Sequence, residues 1–293
     1  MYKKEPEEKQ EFKSGFVALV GRSNVGKSTL LNSLVGTKVA ITTPKPQTTR
    51  DVIHGIVHDE RGQIVFIDTP GIFQQSKDNL TSKLTQKAKE SIQDVDLILY
   101  IVDPTREIGN EEKSIQNILR AVEIPKIMVI NKVDLPSRPF EKDFLELKDD
   151  FNDVIQISAL KLKHLKPLKD LIFTYLKPGE RFYPDYQLTS MDNKTWFAEL
   201  IREKFFLALE KELPYKLTVE VEELETRENG VIYVKANIIT SQESHKGMLI
   251  GRGGRLIKEL GSSIRRQMEQ LTGTRVFLDL NVVVNPRWVE QIK

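Results

Sequence analysis

Eight residues near the start of the chain have the spacing of a phosphate-binding loop. The sequence GRSNVGKS, Gly21 to Ser28, fits the pattern GxxxxGK[ST] and lies between an apolar run and a helix-like segment. Glycines let backbone N–H groups converge on phosphate oxygens, Lys27 can neutralise phosphate charge, and the Ser28 hydroxyl can bind Mg²⁺. The alternative is a glycine-rich turn before an ordinary helix, because short motifs match by chance. We predict nucleotide contacts from Gly21, Arg22, Ser23, Asn24, Val25, Gly26, Lys27, Ser28 and Thr29.

The motif DTPG, which begins at Asp68, could supply a metal ligand and a phosphate contact from one turn. It follows an apolar run, so Asp68 can hold the Mg²⁺ shell and the Gly71 N–H can meet a γ phosphate. The loop before it, residues 36–51, is long, polar and proline-bearing, as functional or mobile loops are. In this loop Thr49 is the better candidate to bind Mg²⁺ and Thr48 the alternative, although either can be a solvated loop residue. The predicted metal ligands are Ser28, Thr49 and Asp68.

The motif NKVD, Asn131 to Asp134, predicts recognition of guanine. Asp134 can accept hydrogen bonds from the N1–H and the exocyclic amine of guanine, a pair of donors that adenine does not offer. A carboxylate left unpaired by the wrong base discriminates strongly, which disfavours an ATP-driven enzyme. Asn131 can tether the phosphate loop, the Lys132 stem can cover the base, and the later sequence SAL can place backbone N–H groups near the guanine O6. The predicted guanine contacts are Asn131, Lys132, Asp134, Ser158, Ala159 and Leu160.

Ile72 follows the DTPG glycine and cannot orient a water molecule, because its side chain has neither a donor nor an acceptor. Hydrolysis of a bound nucleotide must therefore use another route or be slow. Asn24, inside the phosphate loop, could help to hold a monovalent cation against the phosphates and so stabilise transition-state charge. Alternatively, asparagine merely suits the loop backbone. The residues predicted to act in catalysis are Lys27, Asn24, Thr49 and Gly71.

Short apolar runs and amphipathic stretches alternate between residues 16 and 176 and must position these motifs. The runs FVALV, IVFID, LILYIV, IMVIN and VIQIS are rich in valine and isoleucine and apolar throughout, as strands buried on both faces are. Helix-like segments separate them, so we predict an α/β domain with a mostly parallel sheet and helices on both faces. Ligands of such sheets bind at the carboxyl ends of the strands. The predicted P-loop GTPase (G) domain covers residues 15–178.

Residues 179–192 have no clear periodicity and predict a linker whose aromatic side chains pack against a domain surface. After it come an amphipathic helix, two strands with alternating apolar residues, two helices joined by a turn, and a last strand. The turn, Gly251–Gly254, is a GxxG sequence that lets a nucleic-acid backbone approach closely. This αββααβ order resembles a type II KH domain, a reader of single-stranded nucleic acid. We predict an α+β domain of this kind over residues 193–293.

Charge around this turn supports an RNA-binding surface. Residues 245–276 contain seven Lys and Arg against two glutamates, whereas residues 199–228 contain nine glutamates against five Lys and Arg. A basic face opposite an acidic one is the electrostatic footprint expected for a phosphate backbone. Arg265 and Arg266 could instead be ordinary solvated charges, and Ile250 could line a groove or belong to the core. The predicted RNA contacts are Lys246, Ile250, Gly251, Arg252, Gly253, Gly254, Arg255, Lys258, Arg265 and Arg266.

The amino-acid composition excludes several classes of protein. With 293 residues, 39% of them hydrophobic and 29% charged, the chain suits a globular protein of two domains. It has no cysteine, which excludes disulfides, thiolate zinc sites and thiol catalysis, and its four histidines have no metal-ligand spacing. No uncharged apolar run is long enough for a transmembrane segment. Residues 1–14 carry charges of both signs, which predicts a solvated tail and no secretory signal.

The nucleotide motifs in this order, with QTTRD in the loop and DTPGI in the turn, resemble the bacterial TrmE–Era–EngA group of GTPases. In that group a hydrophobic residue follows the DTPG glycine, as Ile72 does here. Potassium-stimulated members carry asparagine at the position of Asn24. A GTPase domain followed by a KH domain resembles the KH-containing members along nearly the whole chain.

This resemblance implies a cytoplasmic, monomeric, Mg²⁺-dependent GTPase that binds GTP, GDP and K⁺. It also implies binding to small-subunit ribosomal RNA near its 3′ end, assistance to maturation of the small ribosomal subunit, and peripheral association with the inner membrane. The residues alone imply less, namely a guanine-specific hydrolase with an RNA-binding module. The alternative is a membrane-associated signalling GTPase whose C-terminal module binds a protein.

Overall fold

The computed structural model describes residues 11–43, 45, 48, 52–69, 86, 90 and 94–291. These residues form two compact units. The N-terminal unit contains the described residues up to 39 and from 52 to 190, and the C-terminal unit contains those from 40 to 48 and from 191 onwards. None of the described helices is both long enough and apolar enough to cross a membrane.

In its described part, the N-terminal unit has a seven-stranded sheet with an apolar centre. The strands are β1 Lys13–Val20, β2 Ile53–Asp59, β3 Gly62–Asp68, β4 Leu97–Val102, β5 Lys126–Ile130, β6 Asp153–Gln156 and β7 Lys177–Pro178. Their order is β2-β3-β1-β4-β5-β6, with β7 beside β1. All neighbouring pairs are parallel except β2 with β3 and β7 with β1. Every residue of β4 is buried, as expected for a strand covered on both faces.

Helices separate the strands of this sheet. They are α1 Lys27–Val35, α2 Asn110–Arg120, α3 Glu141–Leu145 and α4 Leu165–Tyr175. Ile115 of α2 and Phe144 of α3 are fully buried against β4 and β5. One of the helix-like segments of the sequence, NLTSKLTQKAKESIQ over residues 79–93, lies outside the described residues, apart from 86 and 90, which are helical. The predicted α/β fold with a mostly parallel sheet is confirmed.

Two edge strands differ from the sequence prediction. Strand β2 has no counterpart among the predicted strands, because polar residues such as His54 and His58 interrupt its apolar pattern. It pairs with only one regular strand, so those side chains need not be buried. Strand β6 is half-buried along its length, although its apolar sequence predicts burial on both faces. It is the last strand of the sheet and lacks a neighbour on one side.

Residues 177–190, which we call the strap, run along the N-terminal unit and cover the outer edge of β2. The Ile56 N–H donates to the Leu188 carbonyl at 2.9 Å. A single β-bridge joins Gly55 to Thr189. Most of the predicted linker is therefore bound to the N-terminal sheet.

A buried glutamine fixes the middle of the strap. The Gln63 side chain is fully buried, and its oxygen accepts hydrogen bonds from the N–H groups of Phe182 and Tyr183 at 2.8 and 3.0 Å. The Phe182 ring also lies 4.6 Å from the Phe16 ring. Tyr186, in contrast, is 85% exposed. The prediction that linker aromatics pack against a domain is right for Phe182 and wrong for Tyr186.

The C-terminal unit is a three-stranded sheet with helices packed on one face. Its elements are α5 Asn193–Ala208, β8 Leu217–Thr226, β9 Ile232–Thr240, α6 Glu243–Ile250, α7 Arg255–Thr272 and β10 Val276–Val284. The strand order is β10-β9-β8, with β10 parallel and β8 antiparallel to β9. Phe205 of α5, Ile238 of β9 and Met268 of α7 are fully buried in the core. The predicted αββααβ order is confirmed.

The described residues between 40 and 48, which connect α1 to β2, pack within the C-terminal unit. The Thr42 N–H donates to the Glu203 carboxylate at 2.9 Å. The guanidinium of Arg202 donates to the Thr48 carbonyl. Arg202 and Glu203 are only 1% and 3% exposed, and Arg202 also pairs with Glu199 of α5 at 2.6 Å. Backbone groups of a loop that belongs to the nucleotide-binding fold in sequence thus add to the partners of charges buried on α5.

Candidate nucleotide site and nucleic-acid surface

The predicted phosphate-binding loop joins β1 to α1 at the carboxyl end of a central strand. Gly26 has φ +102°, and a Cβ there would lie 2.3 Å from the Asn131 side-chain nitrogen. A larger residue would therefore displace Asn131 as well as strain the turn. Lys27 and Ser28 open α1, so this loop leads into a helix N-terminus, where backbone N–H groups can meet an anion.

Side chains of the protein hold the carbonyl groups of this loop. Five consecutive carbonyl oxygens, from Gly21 to Val25, each accept a hydrogen bond of 2.9 to 3.1 Å from a side-chain nitrogen. The donors are Lys27 for the first two oxygens, Arg106 for the third, Lys132 for the fourth and Asn131 for the fifth. The loop is thus fixed before any phosphate arrives, which reduces the ordering cost of binding.

Lys27 is buried, and its ammonium donates to the carbonyls of Gly21 and Arg22 at 2.9 Å. Burial lowers the pKa of Lys27, while the carboxylates of Asp68 and Glu112 oppose that shift by favouring the charged form. A phosphate would act in the same direction as these carboxylates. The environment therefore suits the predicted role of Lys27 in binding phosphate.

Ser28 and Asp68 bring two oxygen atoms together beside the loop. The Ser28 hydroxyl donates to Asp68 Oδ2 at 2.6 Å, and Asp68 is fully buried. The strand register pairs Asp68 with Leu19 of β1, two residues before the loop begins. Hydroxyl and carboxylate oxygens are the ligands that Mg²⁺ prefers, so this donor set fits the predicted metal.

Three positions near the predicted γ-phosphate site, Thr49, Gly71 and Ile72, lie outside the described residues. Their roles stay predictions. Thr48, the alternative metal ligand, is buried, and its hydroxyl donates to the Lys45 carbonyl at 2.6 Å. In this conformation the Thr48 hydroxyl is therefore engaged within its own loop.

Asp134 has a hydroxyl partner that the sequence analysis missed. Its Oδ1 accepts a hydrogen bond from the Ser158 hydroxyl at 2.5 Å. This bond holds the pKa of Asp134 below its ordinary value, so the carboxylate is ionised at neutral pH. Ser158 was predicted to act through its backbone only, and its side chain aligns the residue predicted to recognise guanine.

Asn131 connects the phosphate loop to the predicted guanine end. Its amide nitrogen donates to the Val25 carbonyl at 2.9 Å, and its oxygen accepts from the Ala159 N–H at 3.0 Å. The Ser158 N–H donates to the Lys163 carbonyl at 3.2 Å. Two of the three N–H groups predicted to face guanine O6 are thus engaged within the protein here, and Leu160 has a side chain that is 72% exposed.

Lys132 is fixed by Asp103, a second residue that the sequence analysis missed. The Lys132 ammonium lies 2.5 Å from Asp103 and 3.0 Å from the Asn24 carbonyl. Burial would raise the pKa of Asp103, but hydrogen bonds from Lys132 and Thr105 lower it overall. Asp103 directly follows the apolar run LILYIV, and this position at the end of a strand was the available signal.

Asn24 is exposed, and its φ of +65° lies in the left-handed region. Asparagine tolerates this conformation better than most residues, which supports the view that it suits the loop backbone. The same position at the tip of the loop leaves its side chain accessible to an ion. Both interpretations of Asn24 therefore stay open.

The GxxG turn has one glycine that packs and two that face open space. A Cβ on Gly251 would lie 2.7 Å from the Leu256 Cβ, so this position needs glycine for close packing. Gly253 and Gly254 have φ of +59° and +76°, and no atom lies within 4 Å of a Cβ added at either position. The backbone at these two residues is therefore open to a ligand, as predicted for a nucleic-acid strand.

A groove of about 300 Å³ lies between β10 and α7, the helix that directly follows the GxxG turn. Its lining residues are Ile257, Lys258, Gly261, Ser262, Arg265, Leu278 and Leu280. Of the predicted RNA contacts, only Lys258 and Arg265 belong to it. Gly261 brings the helix close to the strand, since a Cβ there would lie 3.4 Å from Leu280. Ile250, at the end of α6, is half-buried and does not line the groove.

The remaining predicted RNA contacts follow the chain around the turn. Lys246 is half-buried on α6, Arg252 is exposed in the turn, and Arg266 is exposed on α7. Two others are ion-paired with glutamates one helical turn away: Arg255 with Glu259 at 2.8 Å and Arg265 with Glu269 at 3.0 Å. Such exposed pairs are weak and can give way to a phosphate group.

Comparisons with known proteins cover both units. A family model described as "50S ribosome-binding GTPase" matches residues 16–132, and one described as "KH domain" matches residues 212–288. The chain is 43% identical to the GTPase Era of Thermoanaerobacter sp. (strain X514), over 94% of this chain and 92% of that protein. It is 40% identical to the GTPase Era of Halothermothrix orenii, over 96% of each.

Two solved structures match over 96% of both chains with 35% sequence identity and a TM-score of 0.89. One is Era in complex with MgGDPNP and nucleotides 1506–1542 of 16S ribosomal RNA. The other is a variant of Aquifex aeolicus Era bound to GDP and AlF4⁻. The likeness therefore includes the nucleotide-binding fold and the KH fold in one chain.

Proposed function

We propose that this chain, which belongs to the Era family of GTPases, is a nucleotide-dependent switch. It binds the 3′ end of small-subunit ribosomal RNA and assists assembly of that subunit. The observation that carries this proposal is the solved Era complex with MgGDPNP and nucleotides 1506–1542 of 16S ribosomal RNA. The open GxxG turn and the adjoining groove of this chain support it, because both suit a single strand of RNA.

The residues of this chain divide the work of GTP hydrolysis. Lys27 exchanges its carbonyl partners for phosphate oxygens, and Asp134 holds the base. Ser28 and Asp68 would hold Mg²⁺, which supplies charge neutralisation at the phosphates when it is bound. With Ile72 unable to orient water, the chain relies on preorganised positive charge, and we expect slow intrinsic hydrolysis.

The loop between α1 and β2 supports a link between nucleotide state and RNA binding. Thr49, which would bind the metal when a γ phosphate is present, adjoins Thr48, whose carbonyl accepts a hydrogen bond from Arg202 of α5. Movement of this loop would remove the Thr48 carbonyl from Arg202 and the Thr42 N–H from Glu203, while the Arg202–Glu199 ion pair stays within α5. Nucleotide and RNA affinities are then linked reciprocally.

The test of this proposal measures RNA affinity in each nucleotide state. We expect the protein to bind a labelled oligonucleotide of the small-subunit RNA 3′ end at least about tenfold more tightly with a non-hydrolysable GTP analogue than with GDP. Fluorescence anisotropy measures both affinities, and an oligonucleotide of the same composition in scrambled order is the control. Equal affinity in the two states would contradict the switch, and equal affinity for the two RNAs would contradict 3′-end recognition.

Asn24 leads to a prediction about the cation. If its side chain helps to hold K⁺ against the phosphates, hydrolysis is about tenfold faster in KCl than in NaCl. Replacing Asn24 with Ala then removes the difference between the two salts and leaves the affinity for GDP within about twofold. Phosphate release at saturating GTP measures the rates. Equal rates of the unchanged protein in the two salts would show that asparagine serves the loop backbone alone.

The cellular setting is also part of the proposal. We propose a cytoplasmic monomer that associates peripherally with the inner membrane. Fractionation of cells with and without ribonuclease separates this from the membrane-associated signalling alternative. Release from ribosomal fractions by ribonuclease supports the RNA-binding function, whereas unchanged membrane recovery without RNA favours the alternative.

A further inference from the structure

We infer that Glu112 is a positioning residue for the phosphate-binding loop and that, acting through Arg22, it sets how long the protein retains its nucleotide. Glu112 lies in the first turn of α2 and is 1% exposed. Its Oε1 is 3.7 Å from Arg22 Nε, and Arg22 is the second residue of the loop. The same Nε donates to Glu111 at 2.9 Å, so two carboxylates converge on one guanidinium.

The Glu112 carboxylate is also held by a residue of the sheet. The hydroxyl of Tyr100, a fully buried residue of β4, donates to Glu112 Oε2. The Tyr100 ring stacks on Phe151 with ring centroids 5.5 Å apart and planes within 7° of each other. A buried side chain with one oxygen hydrogen-bonded to Tyr100 has little freedom to swing away from Arg22, unlike the more exposed Glu111.

Burial of the Glu112 carboxylate strengthens its interaction with Arg22. The Arg22–Glu111 pair is only partly buried, with Glu111 32% exposed, so solvent screens part of its attraction. A buried carboxylate is costly and strongly prefers to keep a charged partner, so it ties Arg22 to α2. Burial raises the pKa of Glu112 overall and the Glu111 charge adds to this shift, although the Tyr100 hydroxyl, Arg22 and Lys27 oppose it by stabilising the charged form.

The segment before α2 contacts the loop at adjacent positions. The Arg106 guanidinium donates to the Ser23 carbonyl at 3.1 Å, and Arg22 Nη1 donates to the Glu107 carbonyl at 3.1 Å. Residues 106–112 therefore hold the loop from Arg22 to Ser23 on the side of β4 and α2. Because Lys27 binds the Arg22 carbonyl, fixing Arg22 also fixes the starting position of the phosphate-binding lysine.

The expected effect is on nucleotide retention and not on the chemical step. The contacts position the backbone of Arg22 and Ser23, which GTP and GDP both need, so loosening them affects the two nucleotides alike. In Glu112→Gln we expect N-methylanthraniloyl-GDP and the corresponding GTP analogue to dissociate about tenfold faster. KM for GTP rises accordingly, while kcat at saturating GTP stays within about twofold. Glu123→Gln, the same change at an exposed glutamate just beyond α2, is the matched control and changes dissociation less than about twofold.

A double-mutant cycle with Arg22→Ala tests whether Glu112 acts through Arg22. If it does, adding Glu112→Gln to Arg22→Ala accelerates dissociation no further. An equal acceleration in both backgrounds would overturn the inference, as would unchanged dissociation in Glu112→Gln with only a lower melting temperature. If Glu112→Gln does not fold, Tyr100→Phe takes its place in the cycle, with an expected acceleration of about threefold that Arg22→Ala again abolishes.

Discussion

Replacing Asp134 with Asn lowers the affinity for GTP by a factor of about 10³ and makes xanthosine triphosphate the preferred nucleotide. The ionised carboxylate is predicted to accept two hydrogen bonds from guanine, and hydrogen bonds to a charged group contribute about 1.5–3 kcal/mol each. Asparagine offers one acceptor and places its NH₂ group against the guanine amine. Xanthine carries an oxygen in place of that amine, so it pairs with the Asn amide.

Competition of GTP and xanthosine triphosphate for a fluorescent nucleotide measures this exchange. Asp149→Asn is the matched control, because it makes the same chemical change at an exposed aspartate of the same unit. If Asp134→Asn bound GTP as tightly as the unchanged protein does, guanine recognition would have to come from elsewhere. Ser158→Ala tests the alignment of the carboxylate and should weaken GTP binding by a smaller factor of roughly ten.

Replacing Gly254 with Asp lowers RNA affinity by roughly tenfold to a hundredfold while leaving GTP hydrolysis unchanged. A carboxylate near a phosphate group costs about 1–3 kcal/mol at surface dielectric, and the added side chain also obstructs the close approach of the strand. A Cβ added at Gly254 has no protein atom within 4 Å, so a clash at that atom does not account for the effect on RNA. Filter binding with a labelled 3′-end oligonucleotide measures the loss.

Gly230 provides a close control for this experiment. It has the same φ of +76° and the same open space around an added Cβ, but it lies in the turn between β8 and β9. Gly230→Asp therefore carries the same backbone strain and the same charge, and it should bind RNA normally. Gly254→Asn separates bulk from charge, with an expected loss between those of the other two variants. Equal RNA affinity in Gly254→Asp and Gly230→Asp would show that the GxxG turn does not contact RNA.

The nucleotide motifs were predictable because their chemistry is local. The residues from Gly21 to Ser28 are contiguous, and a strand before them and a helix after them are enough to orient the loop. The same holds for Asn131 and Asp134, which follow a buried strand. Parallel strands deliver their carboxyl ends to one edge of the sheet, so chain order alone brings these separate motifs together.

Contacts that depend on side-chain packing were not predictable. Arg106 and Glu112 reach the loop, and Asp103 reaches Lys132, because β4 lies beside β1 and α2 begins shortly after it, and no motif marks these residues. The sequence shows that a residue is charged but does not show which residue it contacts in the fold. Strand β2 escaped detection for a related reason, since an edge strand tolerates polar side chains that disguise it.

For the predicted RNA-binding surface too, features set by neighbouring residues in the sequence were predictable, and features set by distant residues were not. The glycines at 253 and 254 are open as the GxxG pattern predicts, because the turn is defined within four residues. Ile250, which is near the turn in sequence, was one candidate for the apolar lining, whereas the apolar side chains that line the groove are Ile257 of α7 and Leu278 and Leu280 of the last strand. Which strand passes α7 is decided by sheet order and not by proximity along the chain.

The strap has a consequence for how the chain is made. Strand β2 ends at residue 59, and the strap bonds to its outer edge through Leu188 and Thr189, so about 130 residues must be synthesised before that edge can be covered. At roughly 5–20 residues per second, a nascent chain exposes that strand edge for on the order of ten seconds. Open strand edges recruit other strands, so the emerging protein is most vulnerable to misassociation, and most in need of a chaperone, until its linker has left the ribosome.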